Sequence, residues 1–336
     1  MRRAIRKLQK TRREVSVVVG FIGLGNVGSK LAGSLLRNKV PLIVRDLDPA
    51  LAQPFLEEGA QWASSPVALA SASDVIITCL PSPRACAEVM EADDGVIAGL
   101  GPGKIWIEMS TTDHLEVQRL GKIVQDRGAS PADCPVSGGC HRAATGNIAI
   151  LAGCERSVFD DVLPLLTILG RRVLHSGPLG SASKIKVMTN YLATANLVSL
   201  CEALVTASKA DLNLATVYEA IRISSGNSFV HETESQVILN GSRDINFTMD
   251  LVLKDIGLFQ SMADQAGVPL EISPKLIDIF EDGQSRFGER EWSPNIIRRL
   301  EEACGASVLA AGFPAQIVDD EPEERGYEVR PRGSDS

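Results

Sequence analysis

The sequence predicts a doubly wound, Rossmann-type α/β domain followed by an all-α domain. Apolar runs of strand length alternate with helical segments in the first half, and a glycine-rich turn follows the first run. The second half shows helical periodicity without strand-like runs. A chain of 336 residues is typical of two domains. We therefore expect a parallel sheet domain joined by a long helix to a helical domain.

The predicted strands are four apolar runs that lie at residues 17–23, 41–46, 74–80 and 105–110. They lack the polar alternation of a half-exposed sheet, which is typical of parallel strands buried on both faces. Segments of helical period, such as VGSKLAGSLLRN and RACAEVMEA, separate them. We assign residues 15–178 to this domain.

The helical domain is predicted over residues 179–305. Neither glycine nor proline occurs between Gly180 and Gly226. This stretch is long enough for one helix of about 25 residues and a shorter second one, with a break at 211–213. Its helical patterns predict an all-α domain.

Both chain ends are predicted to be disordered. The net charge is −8, yet the first thirteen residues hold seven Arg or Lys and no acid. We interpret residues 1–14 as a basic leader, and residues 306–336, rich in charge and proline, as a disordered tail. The strongly acidic remainder argues against nucleic acid as a partner.

Cysteine and histidine usage exclude several classes of site. The seven cysteines form no CxxC pair, and the four histidines are isolated, so we expect neither a metal site nor a disulfide framework. Free cysteines favour a cytoplasmic protein. No window reaches the roughly 18 to 20 uncharged apolar residues of a membrane span, so no membrane partner is expected.

The turn GLGNVG predicts a dinucleotide site. Gly23 permits the tight turn, Gly25 lets a pyrophosphate approach the backbone, and Gly28 lets helix and strand pack closely. The following helix N-terminus offers N–H groups to the anion. The candidate cofactor-binding residues here are Gly23, Leu24, Gly25, Asn26, Val27 and Gly28.

Asp46 predicts NAD rather than NADP as the cofactor. It lies eighteen residues beyond Gly28, at the end of the second predicted strand. A carboxylate there accepts hydrogen bonds from a ribose 2′-hydroxyl and repels a 2′-phosphate. Arg45 could bind such a phosphate, but neighbouring side chains on a strand point to opposite faces.

Lys186 and Asn190 are the candidate catalytic pair. Residues four apart on a helix lie about 40° apart around its axis, whereas residues two apart lie about 200° apart. Lys186 and Asn190 therefore share a face, and Lys184 points elsewhere. Burial lowers the pKa of a lysine towards the range of a general acid or base.

Ser137, Gly138 and Gly139 are the candidate substrate-binding residues. Successive backbone N–H groups in such a segment can form a concave anion site for a carboxylate.

In these motifs the chain resembles the β-hydroxyacid dehydrogenases, the family of 3-hydroxyisobutyrate dehydrogenase. The resemblance covers about residues 17–302 and rests on the order of its signatures. Besides GLGNVG, these are CLP at 79–81, MSTT at 109–112, DCPVSGG at 133–139, GxxxxxKxxxN at 180–190 and KDI at 254–256.

The resemblance implies hydride transfer between a nicotinamide cofactor and a small hydroxy acid. Lys186 would be the general acid or base, Asn190 would hold the reacting oxygen or the lysine, and residues 137–139 would bind the substrate carboxylate. The further cofactor contacts that it implies are Leu80, Pro81, Ser110, Thr111 and Lys254. It also implies that residues 179–305 take part in substrate binding and in assembly as a homodimer or homotetramer.

Two other functions stay open at this point. One is an imine reductase-like enzyme of similar architecture, and the other is a non-catalytic NAD-binding interaction protein.

Overall fold

A computed structural model describes residues 17–333 of the chain. The chain divides into two compact units. Of the described residues, the sheet unit comprises 17–186 and 319–333, and the helical unit comprises Val187–Val318. The leader predicted at residues 1–14 lies outside the described residues.

The sheet unit confirms the predicted mostly parallel sheet. Its described strands are β1 Val19–Ile22, β2 Leu42–Arg45, β3 Gln61–Trp62, β4 Val75–Thr78, β5 Ile105–Glu108, β6 Ser130–Asp133, β7 Val136–Ser137, β8 Ala149–Gly153, β9 Arg172–Gly177 and β10 Tyr327–Val329. The four predicted runs became β1, β2, β4 and β5. Their side chains are almost entirely buried, as expected of continuous apolar strands.

The strand order produces a crevice beside β1. The sheet runs β10-β9-β8-β6-β5-β4-β1-β2-β3, and β7 pairs with β8. All neighbours from β3 to β6 are parallel, whereas β8 is antiparallel to β6. The chain order reverses between β4 and β2 on either side of β1, and ligands bind at the carboxyl ends of strands at such a point.

Helices connect these strands. They are α1 Asn26–Arg37, α2 Gln53–Glu57, α3 Pro66–Ala72, α4 Pro83–Glu91, α5 Val96–Gly99, α6 His114–Asp126, α7 Gly139–Ala144 and α8 Arg156–Leu169. Ser65 and Ser82 begin α3 and α4 by accepting a hydrogen bond from a backbone N–H, and each is followed by proline. Serine at the cap and proline at the first helical position are preferred because both suit backbone N–H groups that lack a partner.

The helical unit is built around α9 Ser181–Lys209, which starts in the sheet unit and continues across the boundary at Lys186. The others are α10 Leu214–Arg222, α11 Phe229–Asn240, α12 Met249–Gln265, α13 Ile272–Phe287 and α14 Arg298–Cys304. The break between α9 and α10 confirms the prediction at 211–213. Asp211 has a φ of 55°, and Asn213 caps α10 by accepting from Thr216 N.

Helix α9 corrects the expectation that no segment has membrane-spanning character. By length and composition α9 could cross a bilayer, with 39% of its apolar window buried. Its second half supplies Leu200, Leu204 and Val205 to the core of the helical unit. A buried core helix can have the same length and composition, and apolar residues of α9 pack into the core of the helical unit.

The prediction of a disordered tail at residues 306–336 was wrong for most of that stretch. Val308 is fully buried in the helical unit. Residues 327–329 form β10, which pairs in parallel with β9. Composition suggested disorder because the segment is short of apolar residues, but its acidic side chains pair with arginines of the sheet unit.

Candidate active site

The GLGNVG turn has the geometry that a dinucleotide site requires. Gly23 has a φ of +99°, a left-handed conformation that favours glycine. A Cβ on Gly28 would lie 2.0 Å from the Gly23 carbonyl oxygen, so only glycine lets α1 start this close to the turn. A Cβ on Gly25 would meet no described atom within 4 Å, which leaves this backbone approachable. Asn26 and Val27 form the first residues of α1.

Asp46 lies directly beside this turn. Its carboxylate accepts hydrogen bonds from Leu24 N at 2.6 Å and from Asp48 N at 3.0 Å. The Arg45 guanidinium instead donates to the carbonyls of Ala63 and Ser64, at 3.2 and 2.8 Å. The acid therefore lies at the turn, and the arginine is held by the segment after β3.

The loops after β4 and β5 meet at the same edge of the sheet. Leu80 N donates to Ser110 Oγ at 2.7 Å, which joins the CLP and MSTT segments. Pro81 and Thr111 follow these two residues in their loops. The Thr112 hydroxyl is buried and has no hydrogen-bond partner within residues 17–333, so a ligand could satisfy it. These loops and the glycine turn fit a bound dinucleotide.

Glu108, at the end of β5, connects the end of β4, helix α4 and the loop after β5, a role that the sequence did not reveal. Its fully buried carboxyl accepts from Thr78 Oγ1, Cys86 Sγ and Ser110 N, each at 2.7 Å. Burial raises the pKa of the Glu108 carboxyl, against these hydrogen bonds. In the sequence, the feature that could have indicated this role is the acid at the end of the apolar run IWIE.

The Ser-Gly-Gly segment leads from β7 into α7. Ser137 pairs with Ala149 of β8, so the segment is anchored on its amino-terminal side. Gly138 and Gly139 have φ values of +128° and +86°. Two successive left-handed residues turn the backbone sharply, and such turns produce concave groups of N–H donors.

Asp133 links the start of the substrate signature to the start of α9. It ends β6 and is fully buried. One carboxylate oxygen accepts from Gly180 N at 2.8 Å, and the other accepts from Ser183 N and Oγ at 2.8 and 3.0 Å. Burial raises the pKa of this carboxyl, opposed by the same hydrogen bonds. A carboxylate at a helix N-terminus satisfies otherwise unpaired N–H groups and opposes the helix dipole.

The two lysines of α9 have the contrasting environments that helical geometry predicted. Lys186 is only 7% exposed, whereas Lys184 is exposed. A lysine is rarely buried, because removing its ammonium group from water is costly. The buried member of the pair is therefore the candidate for chemistry.

In the helical unit, Asp255 joins two predicted site residues. Its carboxylate accepts from Asn190 Nδ2 at 2.5 Å and from Lys254 Nζ at 2.6 Å. The Lys254 ammonium thus forms an ion pair with a buried acid. The Asp in KDI was the signal for this contact, and its partner Asn190, 65 residues away, could not be inferred.

Two family models cover most of the chain. The NAD binding domain of 6-phosphogluconate dehydrogenase matches residues 18–177, and the NAD-binding domain of NADP-dependent 3-hydroxyisobutyrate dehydrogenase matches residues 180–300. Among curated relatives, 2-(hydroxymethyl)glutarate dehydrogenase of Eubacterium barkeri is 33% identical over 296 residues, 88% of this chain and 98% of the relative. The chain belongs to the β-hydroxyacid dehydrogenase family.

Other family members agree with this assignment. Mitochondrial 3-hydroxyisobutyrate dehydrogenase of Rattus norvegicus is 33% identical over 259 residues, 75% of this chain and 77% of the relative. The crystal structure of 3-hydroxyisobutyrate dehydrogenase from Salmonella typhimurium has a TM-score of 0.78 and 25% identity, and covers 84% of this chain and 100% of that one. This β-hydroxyacid dehydrogenase family member is an NAD(P)-dependent oxidoreductase of the 3-hydroxyisobutyrate dehydrogenase type.

Proposed function

We propose that this family member interconverts a small β-hydroxy acid and its semialdehyde, with Lys186 as the general acid or base. The observation that carries the proposal is the burial of Lys186 on a helix whose first turn is held by Asp133, at the start of the substrate signature. The relatives are named for 3-hydroxyisobutyrate and 2-(hydroxymethyl)glutarate. Both acids carry a primary alcohol on the carbon next to the α-carbon.

Each group has a defined task in the proposed reaction. A nicotinamide dinucleotide held by the glycine turn and by the loops after β4 and β5 would supply the hydride chemistry. Neutral Lys186 accepts the hydroxyl proton during oxidation, and its ammonium returns that proton during reduction. Backbone N–H groups of residues 137–139 hold the substrate carboxylate. Asn190 holds the reacting oxygen or the lysine, and Asp255 fixes its amide by accepting from Nδ2.

A panel of small hydroxy acids tests the reaction. We expect NADH formation, followed by absorbance, with 3-hydroxyisobutyrate, 2-(hydroxymethyl)glutarate or L-serine. Lactate serves as the control, because its hydroxyl is on the α-carbon and would be displaced from Lys186 when the carboxylate is bound. Reduction of a cyclic imine without turnover of any hydroxy acid would favour the imine reductase alternative. Cofactor binding without either activity would favour the non-catalytic alternative.

The cofactor of this reaction is proposed to be NAD rather than NADP. Support comes from the Asp46 carboxylate beside Leu24 N, and from the engagement of Arg45 by the Ala63 and Ser64 carbonyls. Lys254 is assigned to the cofactor side, with its ammonium oriented by Asp255.

Exchanging charge at the end of β2 is expected to reverse the cofactor preference. The double variant Asp46→Ser, Leu47→Arg removes the repulsion of a 2′-phosphate and adds a cation at an exposed position. We expect the ratio of kcat/KM for NAD to that for NADP to fall by about 100-fold, the scale of one strong charged contact. The control is Asp48→Asn, which alters the acid that accepts from Ala50 N. An unchanged ratio in the double variant would contradict the assignment of Asp46.

A cytoplasmic location and assembly as a homodimer or homotetramer stay predictions. Light scattering of the purified protein measures the number of subunits.

A further inference from the structure

The segment 319–329 forms an acidic strap on the sheet unit, and the proposed function does not account for it. It lies beyond the family models, which match residues 18–177 and 180–300. Its ion pairs with arginines of the sheet unit are Asp319 with Arg142, Glu321 with Arg142 and Arg172, Glu323 with Arg37, Glu324 with Arg171, and Glu328 with Arg156. The strap ends in β10, at the edge of the sheet.

The first residues of the strap hold the end of α7. Asp319 accepts hydrogen bonds from Thr145 Oγ1 and, at 2.7 Å, from Asn147 Nδ2. Asn147 Nδ2 also donates to the Glu321 carbonyl at 2.8 Å. Thr145 and Asn147 lie in the connection from α7 to β8. The strap thus grips α7 at the end opposite to the Ser-Gly-Gly segment.

The strap also reaches the last turn of α1. The Arg37 guanidinium forms an ion pair with Glu323 at 3.4 Å and donates to the Ala144 carbonyl at 2.6 Å. Ser34 Oγ of α1 donates to the Ala143 carbonyl at 3.4 Å. Helices α1 and α7 are therefore joined beneath the strap, and their opposite ends carry the cofactor turn and the substrate segment.

Burial separates the contacts that can position α7 from those that cannot. Exposed ion pairs contribute little because water and salt screen them, and the side chains of Arg37 and Glu323 are 40% and 45% exposed. The Asp319 side chain is 3% exposed. Loss of a buried acceptor leaves its donors unsatisfied, which is much more costly. Asp319 is therefore the decisive residue of the strap.

We propose that Asp319 is a positioning residue, which holds α7 so that the backbone of residues 137–139 is arranged for the substrate carboxylate. This inference rests on the proposed function of that segment. Asp319 lies at the far end of α7 from the segment, and it acts through Thr145 and Asn147. The strap is then an addition that sharpens substrate binding without touching the substrate.

The test compares two matched amide substitutions in the full chain. Asp319→Asn removes the charge of the acceptor, and it replaces one of the two carboxylate oxygens, which accept from Thr145 and Asn147 and from Glu321 N, by an amide donor. Glu328→Gln weakens the ion pair with Arg156 at the other end of the strap. Kinetics use the hydroxy acid with the highest kcat/KM in the panel. We expect Asp319→Asn to raise its KM about tenfold and the KM for the dinucleotide less than about twofold. We expect Glu328→Gln to leave both constants within about twofold of the wild type, because its ion pair is with Arg156 of α8 and not with α7.

Hydrogen exchange distinguishes positioning from general destabilisation. Amides of residues 139–147 are expected to exchange faster in Asp319→Asn, with β1 and β4 unchanged. Thr145→Val removes one donor to Asp319 and is expected to show a smaller change of the same kind, which keeps the test available if Asp319→Asn fails to fold. An unchanged substrate KM, or equal rises in both KM values with faster exchange throughout the sheet, overturns the proposal.

Failure of the proposed function gives a different pattern. In that case the wild type oxidises no hydroxy acid, while the exchange of residues 139–147 still reports whether Asp319 holds α7. If exchange there does not respond to Asp319→Asn, the positioning role fails by itself.

Discussion

Lys186→Ala is expected to lower kcat by about 10²–10⁴-fold, the usual contribution of a positioned general acid or base. Lys186 is buried on α9, and no other lysine of its turn is comparably buried in the described chain. The dissociation constant of the dinucleotide, measured by fluorescence titration, should stay within about twofold, because the variant removes a proton-transfer group and leaves the glycine turn intact.

Lys184→Ala is the matched control, since the same substitution is made two residues away at an exposed position. We expect its kcat to stay near the wild-type value. Equal losses in the two variants would contradict the assignment of Lys186. The dependence of kcat on pH gives a second readout. The part of this profile in which kcat changes with ionisation of the catalytic base should disappear in Lys186→Ala and persist in Lys184→Ala.

Asp133→Ala is expected to lower both the stability and kcat. The variant leaves the N–H groups of Gly180 and Ser183 and the Ser183 hydroxyl without their buried acceptor. Loss of a helix cap and of buried hydrogen bonds should lower the free energy of unfolding by about 2–4 kcal/mol, measured by urea denaturation. Because Lys186 lies one turn after the capped residues, kcat should fall at least about tenfold under conditions where the protein is folded.

Asn213→Ala is the control for a cap without a link to Lys186. Asn213 accepts from Thr216 N at 2.9 Å at the start of α10. Its loss should cost about 0.5–2 kcal/mol and leave kcat unchanged. If Asp133→Ala lost stability with a normal kcat, Asp133 would be a structural cap only.

Local patterns were sufficient for much of the fold. Continuous apolar runs marked β1, β2, β4 and β5, because strands buried on both faces have no polar positions. The break at 211–213 was visible for a similar reason, since Asp and Asn tolerate left-handed backbone and cap helices. The helical repeat predicted that Lys184 and Lys186 lie on different faces of one helix, and in the structure Lys186 is the buried one.

Residues whose partners are distant along the chain could not be found in this way. Glu108 contacts Thr78 and Cys86, and Asp255 contacts Asn190. Each acid is an ordinary polar residue when it is viewed in its own segment. Its role depends on which elements the sheet order or the helical packing brings beside it.

The C-terminal segment shows most clearly which features the sequence predicts and which depend on the tertiary structure. Its composition was typical of disorder, because few apolar residues are available to offset the loss of chain entropy on folding. It is ordered through contacts with arginines more than 140 positions earlier and with the edge strand β9. Periodicity, turn residues and the spacing of glycines and lysines thus specified the elements and the candidate chemistry from the sequence. The distant donors to Asp133, Asp255 and Asp319 could be identified only in the tertiary structure, because they lie on elements that are far from these carboxylates along the chain.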